Sequence, residues 1–297
     1  MFDGVLKKVS LRLNRCGVLI LLCLLVGLCA PVHAAIAKAP FNALEKRLIK
    51  DGFDTTRIET IFANPAVAFE ERGVSAYFMH NEATLNYAQF TRPHQISLAK
   101  KYMQAHRKAF SYAEKMYGVN KEVITAIILV ETKFGRYVGN KSVLNTLATL
   151  SAMKDKKLRQ IIWKSLPDDG RRITRRQFER KADRKSTWAY RELKAFLTYT
   201  QREGMDPTTI KGSYAGAMGI SQFMPSNIVR HGRDGNHDGR VDLFEDADAI
   251  SSIASYLKYF GWGPGISRKK AFRAVYHYNH SKYYVNTVLE IAKKLKG

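Results

Sequence analysis

The sequence predicts a mainly α-helical protein, and three observations carry that prediction. Apolar residues recur at three- and four-residue spacing through most of the chain, which is the period of a helix face. Helix-starting and helix-ending residues, among them Asp54-Thr55-Thr56, Asn120, Gly118 and Gly135, sit at the ends of those stretches. No series of alternating strands appears, and there is no internal repeat or low-complexity tract.

The first 34 residues read as an export leader. Lys7, Lys8, Arg12 and Arg15 precede an uncharged apolar run from Gly17 to Leu28, and Val32-His33-Ala34 offers small residues to a signal peptidase. The run is short for a membrane span. A lipid anchor on Cys29 is the competing reading, and Leu28 argues against it, because a lipoprotein site takes Gly or Ala there. All three cysteines (Cys16, Cys23, Cys29) lie in the leader, so the mature chain has no disulfide and no thiol chemistry.

Taking 34 residues from 297 leaves 263, enough for one large core with an accessory subdomain. The expected division is an N-terminal helical subdomain over 35–100 and a main core over 101–297. Phe41 to Ile49 has amphipathic spacing, and Asp54-Thr55-Thr56 starts a helix through Ile58 and Ile61. Ala76 to Phe90 is aromatic-rich and ends near Thr91-Arg92-Pro93. Gln95 to Tyr117 reads as one helix, and the helix carrying Glu131 follows a turn at Gly118. Ser142 to Met153 is apolar and helical. Residues 154–187 are dominated by Lys and Arg around Pro167-Asp-Asp-Gly170 and read as a basic, partly mobile insertion, one that could touch an anionic ligand but is better described as a solvated surface loop. Helical periodicity returns over Trp188 to Arg202, over Ala249 to Phe260, and at both ends of Lys269 to Leu295.

Within this frame Glu131 stands out. Ile124, Ile127 and Ile128 lie seven, four and three residues before it, so all four side chains share one helix face. A carboxylate closing an isoleucine stripe would be desolvated, with its pKa raised as a general acid near neutral pH requires. The helix alone equally allows a rim carboxylate paired with Lys133 or Arg136. In 211–225, small residues (Gly212, Ser213, Ala215, Gly216, Ala217, Gly219) crowd before Gln222. They permit close approach of a ligand or of another helix, and Gln222 brings a donor and an acceptor. No strand pattern precedes Gly216 and Gly219, so they are not a nucleotide-binding loop. His277 and His280 lack a third ligand and read as surface or packing histidines.

Residues 234–245 satisfy a calcium-loop pattern at every position: Asp234, Asn236 and Asp238 at 1, 3 and 5, Gly239 at 6, the Arg240 carbonyl at 7 and Glu245 at 12. Asp248 is a rival closing acid. An Asp/Asn/Gly-rich turn without metal has similar composition, but the full match favours metal.

The net charge of +23 includes a net +3 from the leader, so the mature chain carries about +20. Such a charge steers toward polyanions in general. For an exported chain, anionic envelope polymers and peripheral contact with anionic envelope surfaces are the better candidates. The leader and the absence of any nucleic-acid motif argue against nucleic acid.

Taken in order, the Val-Glu131-Thr-Lys-Phe-Gly segment, Leu147-Ala-Thr-Leu-Ser151, Lys211-Gly-Ser-Tyr-Ala-Gly-Ala-Met-Gly, Ser-Gln222-Phe-Met-Pro-Ser, the acidic loop over 234–248 and Tyr278-Asn279-x-Ser281-x-x-Tyr284 resemble the lytic transglycosylase B family of bacterial cell-wall enzymes. The resemblance runs from about Phe41 to the C-terminus, is weakest before residue 95 and gives 154–187 no counterpart. It implies a lysozyme-like helical catalytic core with an EF-hand-like calcium loop. The implied reaction is non-hydrolytic cleavage of the β-1,4 bond between N-acetylmuramic acid and N-acetylglucosamine in peptidoglycan, leaving a 1,6-anhydro end. It makes Glu131 the single acid and base, and places Ser213, Gln222, Tyr256, Asn279 and Tyr284 along the sugar subsites or in support of that glutamate. It also moves the closing calcium ligand toward Asp248, and it implies a periplasmic monomer with structural Ca2+. Phe134 and Phe244 stand where the family often has tryptophan. A hydrolytic muramidase and a non-catalytic murein-binding protein are the rivals. A muramidase needs a second carboxylate, and no second acid closes a comparable stripe.

Overall fold

The structure, a computed structural model, describes residues 40–79, 86–166 and 173–297. The leader expected over 1–34 and the turn at 167–170 lie outside the described residues. So does part of the stretch from 76 to 90.

Thirteen helices are described. The first three, α1 (Asn42–Lys50), α2 (Thr55–Ala63) and α3 (Glu71–Met79), precede a 3₁₀ turn at Tyr87–Thr91. Next come α4 (Pro93–Ala105), α5 (Arg107–Tyr117), α6 (Lys121–Thr132), α7 (Val143–Ala152), α8 (Lys156–Lys164) and α9 (Arg175–Arg202). The chain closes with α10 (Pro225–His231), α11 (Asp246–Tyr259), α12 (Arg268–Tyr278) and α13 (Lys282–Lys296). The only strands among the described residues are β1 (Lys141–Ser142) and β2 (Lys211–Gly212), paired antiparallel with Lys141 opposite Gly212. The mainly α expectation holds.

The two most apolar helices form the centre. Residues 123–129 of α6 and every residue of α7 are buried. Against α6 lies α13, which contributes Val285, Val288 and Ile291; along α7 lies α9, which contributes Leu193, Phe196 and Leu197. The end of the helix carrying Glu131 is held by Thr132, which bonds both Ile220 and Gly135.

Three expectations need correction. The stretch from Gln95 to Tyr117 is two helices, broken at His106, whose ring packs on Tyr102 at 4.4 Å and faces Asp246 at 3.7 Å. No Gly or Pro marks that break; a tertiary contact holds it. The boundary set at residue 100 falls inside α4, whose true start is Pro93 at its first position, and one continuous core runs from Phe41 to Leu295.

The basic stretch 154–187 is not a solvated loop in its described part. It contains α8 and the first half of α9, with Ile162, Leu166, Phe178 and Ala182 buried. Phe178 and Ala182 are four apart on one face, a stripe hidden by the surrounding charge. Arg159, itself buried, donates to the Met153 carbonyl and pairs with Glu179 at 2.9 Å and Asp183 at 3.5 Å, tying α8 to α9.

The small-residue stretch after Lys211 forms tight turns, with bridges from Gly212 to Met218 and from Met218 to Phe223. Gly219 has φ +73°, and a Cβ there would sit 2.5 Å from Leu243. Only glycine fits.

Candidate active site

α6 ends differently from expectation. Lys133 and Phe134 adopt positive φ (47° and 64°), so the left-handed turn begins before Gly135. The Thr132 hydroxyl accepts from the Gly135 N–H at 3.0 Å and donates to the Ile220 carbonyl at 3.0 Å, fixing this strained end to the small-residue loop. Asn120 occupies the N-cap position without capping, since its Oδ1 accepts from Trp262 Nε1 at 3.3 Å. Glu114 takes the helix N-terminus instead, accepting from Lys121 N at 2.9 Å.

Glu131 is half-buried at the edge of a stripe whose isoleucines are fully buried. Its Oε1 accepts a hydrogen bond from the Tyr284 hydroxyl at 2.6 Å, across 153 residues of sequence. The Lys133 ammonium lies over the Phe90 and Tyr137 rings at 6.0 and 5.4 Å, and Arg136 is exposed. Tyr284 is itself placed by Ser281, whose hydroxyl accepts from Tyr284 N and so begins α13.

Beneath the carboxylate runs a ladder of tyrosines. Tyr284 stacks on Tyr278 with centroids 6.4 Å apart and rings 7° from parallel, and Tyr278 meets Tyr256 edge-on at 5.1 Å. Tyr87, from the 3₁₀ turn, approaches Tyr284 edge-on at 6.5 Å. The Tyr278 hydroxyl donates to the Ser221 carbonyl at 2.5 Å and the Tyr256 hydroxyl to the His277 carbonyl at 2.6 Å. Burial first, and then the charge of Glu131, hold the Tyr278 and Tyr284 phenols well above their ordinary range, while burial pushes Tyr256 up to about 12. Each phenol therefore remains a donor at neutral pH, and Tyr284 fixes Oε1 of the Glu131 carboxylate.

The small-residue loop, tied to the end of α6 through Thr132, carries Ser213 and Gln222. The Ser213 hydroxyl accepts from Ala215 N at 3.2 Å and Ala217 N at 3.1 Å, which leaves its proton to donate outward. Gln222, at φ +49°, directs both amide protons to carbonyls, Val138 at 3.1 Å and Gly219 at 2.9 Å. The sequence suggested both a donor and an acceptor. The structure leaves only the amide oxygen, an acceptor.

Asn279 caps α12 and is half-buried beside this constellation, while Tyr256 is 4 % exposed and packs against Phe223, His231 and Phe260. Tyr256 thus supports the ladder and offers no face to a sugar. Sequence reading singled out neither Tyr278 nor Ser281 as site residues, although both stand in the same segment as Asn279 and Tyr284. Nor did it single out Thr132. His277 stacks on Phe260 at 4.2 Å and His280 meets Tyr276 at 5.1 Å, as packing histidines do.

The acidic loop lies apart from the tyrosine ladder. Asp234 accepts from His237 N, Asp238 N and Gly239 N at 2.6, 3.2 and 2.9 Å, and His237 and Gly239 take positive φ. Asn236 Oδ1 accepts from Asp238 N and Asp238 Oδ1 from Arg240 N. Asp248 is 1 % exposed and accepts from Gly235 N at 2.8 Å and Asp242 N at 2.7 Å, whereas Glu245 is exposed at the N-cap of α11. Burial, offset in part by these amides, and the nearby charge of Asp234 raise the Asp248 carboxyl above its usual range. The donors are hard oxygens of the type calcium takes. Among the described residues no group of three His, Cys, Asp or Glu side chains is arranged to hold a metal ion.

With a fold of this kind and a carboxylate so held, the class is settled by comparison: the chain belongs to the Transglycosylase SLT domain family, which it matches over residues 37–269. Over 186 residues, 62% of its length, it is 34% identical to the membrane-bound lytic murein transglycosylase B of Escherichia coli (strain K12). That alignment covers 44% of the relative, so the chain spans less than half of it. Among solved structures it is similar to soluble lytic transglycosylase SltB1 from Pseudomonas aeruginosa, with TM-score 0.67 and 23% identity over 89% of this chain and 98% of that one. SltB3 from the same organism, in complex with NAG-anhNAM-pentapeptide, gives TM-score 0.69 and 20% identity, covering 88% and 80%. The Escherichia coli lytic transglycosylase Slt35, solved in complex with calcium, gives 0.66 and 22%, covering 88% and 93%. These likenesses show the fold.

Proposed function

We propose that the chain is a peptidoglycan lytic transglycosylase that cleaves the MurNAc–GlcNAc β-1,4 bond without water. The observation that carries this is the Tyr284–Glu131 hydrogen bond, which holds one carboxylate at the end of α6; on this reading Ser213, Gln222 and Asn279 bind the sugars. Family membership and the printed name of the 34%-identical relative support it, as do the sugar–peptide complexes of SltB3.

Protonated Glu131 gives its proton to the glycosidic oxygen as the C1–O bond breaks. The positive charge at C1 is relieved by the substrate's own acetamido group. The carboxylate, still held at Oε1 by Tyr284, then takes the proton from the sugar's 6-hydroxyl as that oxygen attacks C1. The 1,6-anhydro ring closes and Glu131 is again protonated. One carboxylate serves twice, where an ordinary glycosidase needs two. Ser213 donates to the glycan, Gln222 accepts from it, and Tyr278 and Tyr256 keep Tyr284 in place.

The same reading has the protein exported to the periplasm and acting there as a monomer. No helix of the described residues is long and apolar enough to cross a membrane. Asp234, Asn236, Asp238, the Arg240 carbonyl and Asp248 would hold a structural calcium ion, with exposed Glu245 released from that role. Calcium would supply charge compensation to the buried Asp248 and fix the turn before α11. A chelator should therefore lower the melting temperature more than it lowers the rate constant; an unchanged melting temperature refutes the metal assignment.

The test of the reaction is mass spectrometry of fragments released from purified murein. Products one water lighter than reducing muropeptides support the proposal. Reducing ends make the protein a muramidase, and bound but uncut murein makes it a binding module. Glu131→Gln should abolish release while leaving folding and murein binding intact.

A further inference from the structure

On the proposed murein substrate, we infer that Lys181 and Lys185 of α9, with Tyr77, Trp188 and Tyr214, form an anionic subsite that takes the carboxylates of a peptide stem. The two lysines are four residues apart and share one face of α9. Both are half-buried. The Lys185 ammonium lies 5.1 Å from the Tyr77 ring and 4.7 Å from the Trp188 ring, and that of Lys181 lies 5.3 Å from the Phe78 ring.

Among the described residues, no carboxylate pairs with either lysine. The acids of α9 are committed elsewhere: Glu179 to Arg159 and Arg175, Asp183 to Lys154 and Arg159, and Glu192 to Ser226. The one hydrogen bond made by either ammonium goes from Lys181 to the Phe78 carbonyl at 3.2 Å. Burial and the positive charge of neighbouring Arg184 lower both lysines from their ordinary range, with Lys185 adding to the effect on Lys181. Two cations held together in a half-desolvated place without a counter-charge are costly. An arriving anion removes that cost.

The position fits a substrate side branch. Tyr77 packs on Tyr214 at 5.8 Å, and Tyr214 follows Ser213 in the loop that also carries Gln222. The cluster is therefore joined to the loop assigned above to glycan binding, with aromatic rings for apolar stem atoms and two ammoniums for carboxylates. A strand stripped of its peptides keeps one lactyl carboxylate close against each muramic acid ring, whereas a peptide stem carries several carboxylates further out from the sugar.

The test compares stem-bearing murein strands with strands stripped of their peptides, bound to the Glu131→Gln protein so that cleavage plays no part. Stem-bearing strands should bind about tenfold more tightly. Lys185→Gln, alone or with Lys181→Gln, should abolish that difference without weakening binding to stripped strands, and Lys185→Arg should keep it. Unchanged discrimination in Lys185→Gln overturns the subsite. So does an equal loss on both kinds of strand, or capture by anionic lipid vesicles through the same lysines with no preference for stems. Failure of the wild type to yield 1,6-anhydro products, by contrast, overturns the reaction and leaves the binding comparison standing.

Discussion

At the scale of the residue, the site depends on a donor that stays a donor. Tyr284 is buried, and its phenol is held far above the working pH, so its proton serves to position Glu131 and takes no part in exchange. Tyr284→Phe should lower kcat about 10- to 100-fold, as expected for loss of a hydrogen bond to a charged group, with KM little changed. Steady-state kinetics on murein decide it, and an unchanged kcat would remove the phenol from the mechanism. Glu131 was legible in sequence because its three isoleucine neighbours mark one face of α6. Its partner was not legible as a partner: nothing local ties residue 131 to residue 284, and only the packing of α13 on α6 brings them together. Gln222 was found, yet its polarity was open until the Val138 and Gly219 carbonyls claimed both amide protons.

Helices and turns show where periodicity misleads and where it serves. The run of positive charge over 154–187 concealed Phe178 and Ile162, both 0 % exposed. Phe178→Ala should cost about 3–5 kcal/mol of unfolding free energy, measured by urea denaturation; a cost near zero would restore the loop reading. Deletion of 154–187 should accordingly unfold the protein rather than trim a decoration. At the turn after β2, Gly219→Ala meets both a positive φ and the Leu243 backbone at 2.5 Å. A loss of at least about 1–2 kcal/mol should follow. The helices themselves were mostly legible because their apolar stripes are strong. The break at His106 was not, because Asp246, from a distant part of the chain, meets both Tyr102 and His106 there.

Across the whole molecule, pH acts on stability through a histidine away from Glu131. His231 is 2 % exposed among Tyr256, Tyr259 and Phe260, and burial, aided by Arg230 and Arg233, lowers it to about 4. Above the ordinary histidine value of about 6.5 it is neutral in both folded and unfolded chains and contributes nothing. Below that value the unfolded chain takes up a proton that the folded chain refuses. Stability should therefore fall as the pH drops from about 6.5 to about 4, by on the order of 2–3 kcal/mol, and this contribution should level off below that. His231→Phe should flatten the melting temperature over that window, and an undiminished slope would assign it to other groups.

The hydrogen bond between Tyr284 and Glu131 also sets an order in time. A chain made from its N-terminus presents the glutamate well before the segment that supplies its donor. Until α13 has arrived and docked on α6, the carboxylate has neither its orientation nor the ladder beneath it. On the proposed export and reaction, the chain would travel as a disarmed cutter until its last helix is in place.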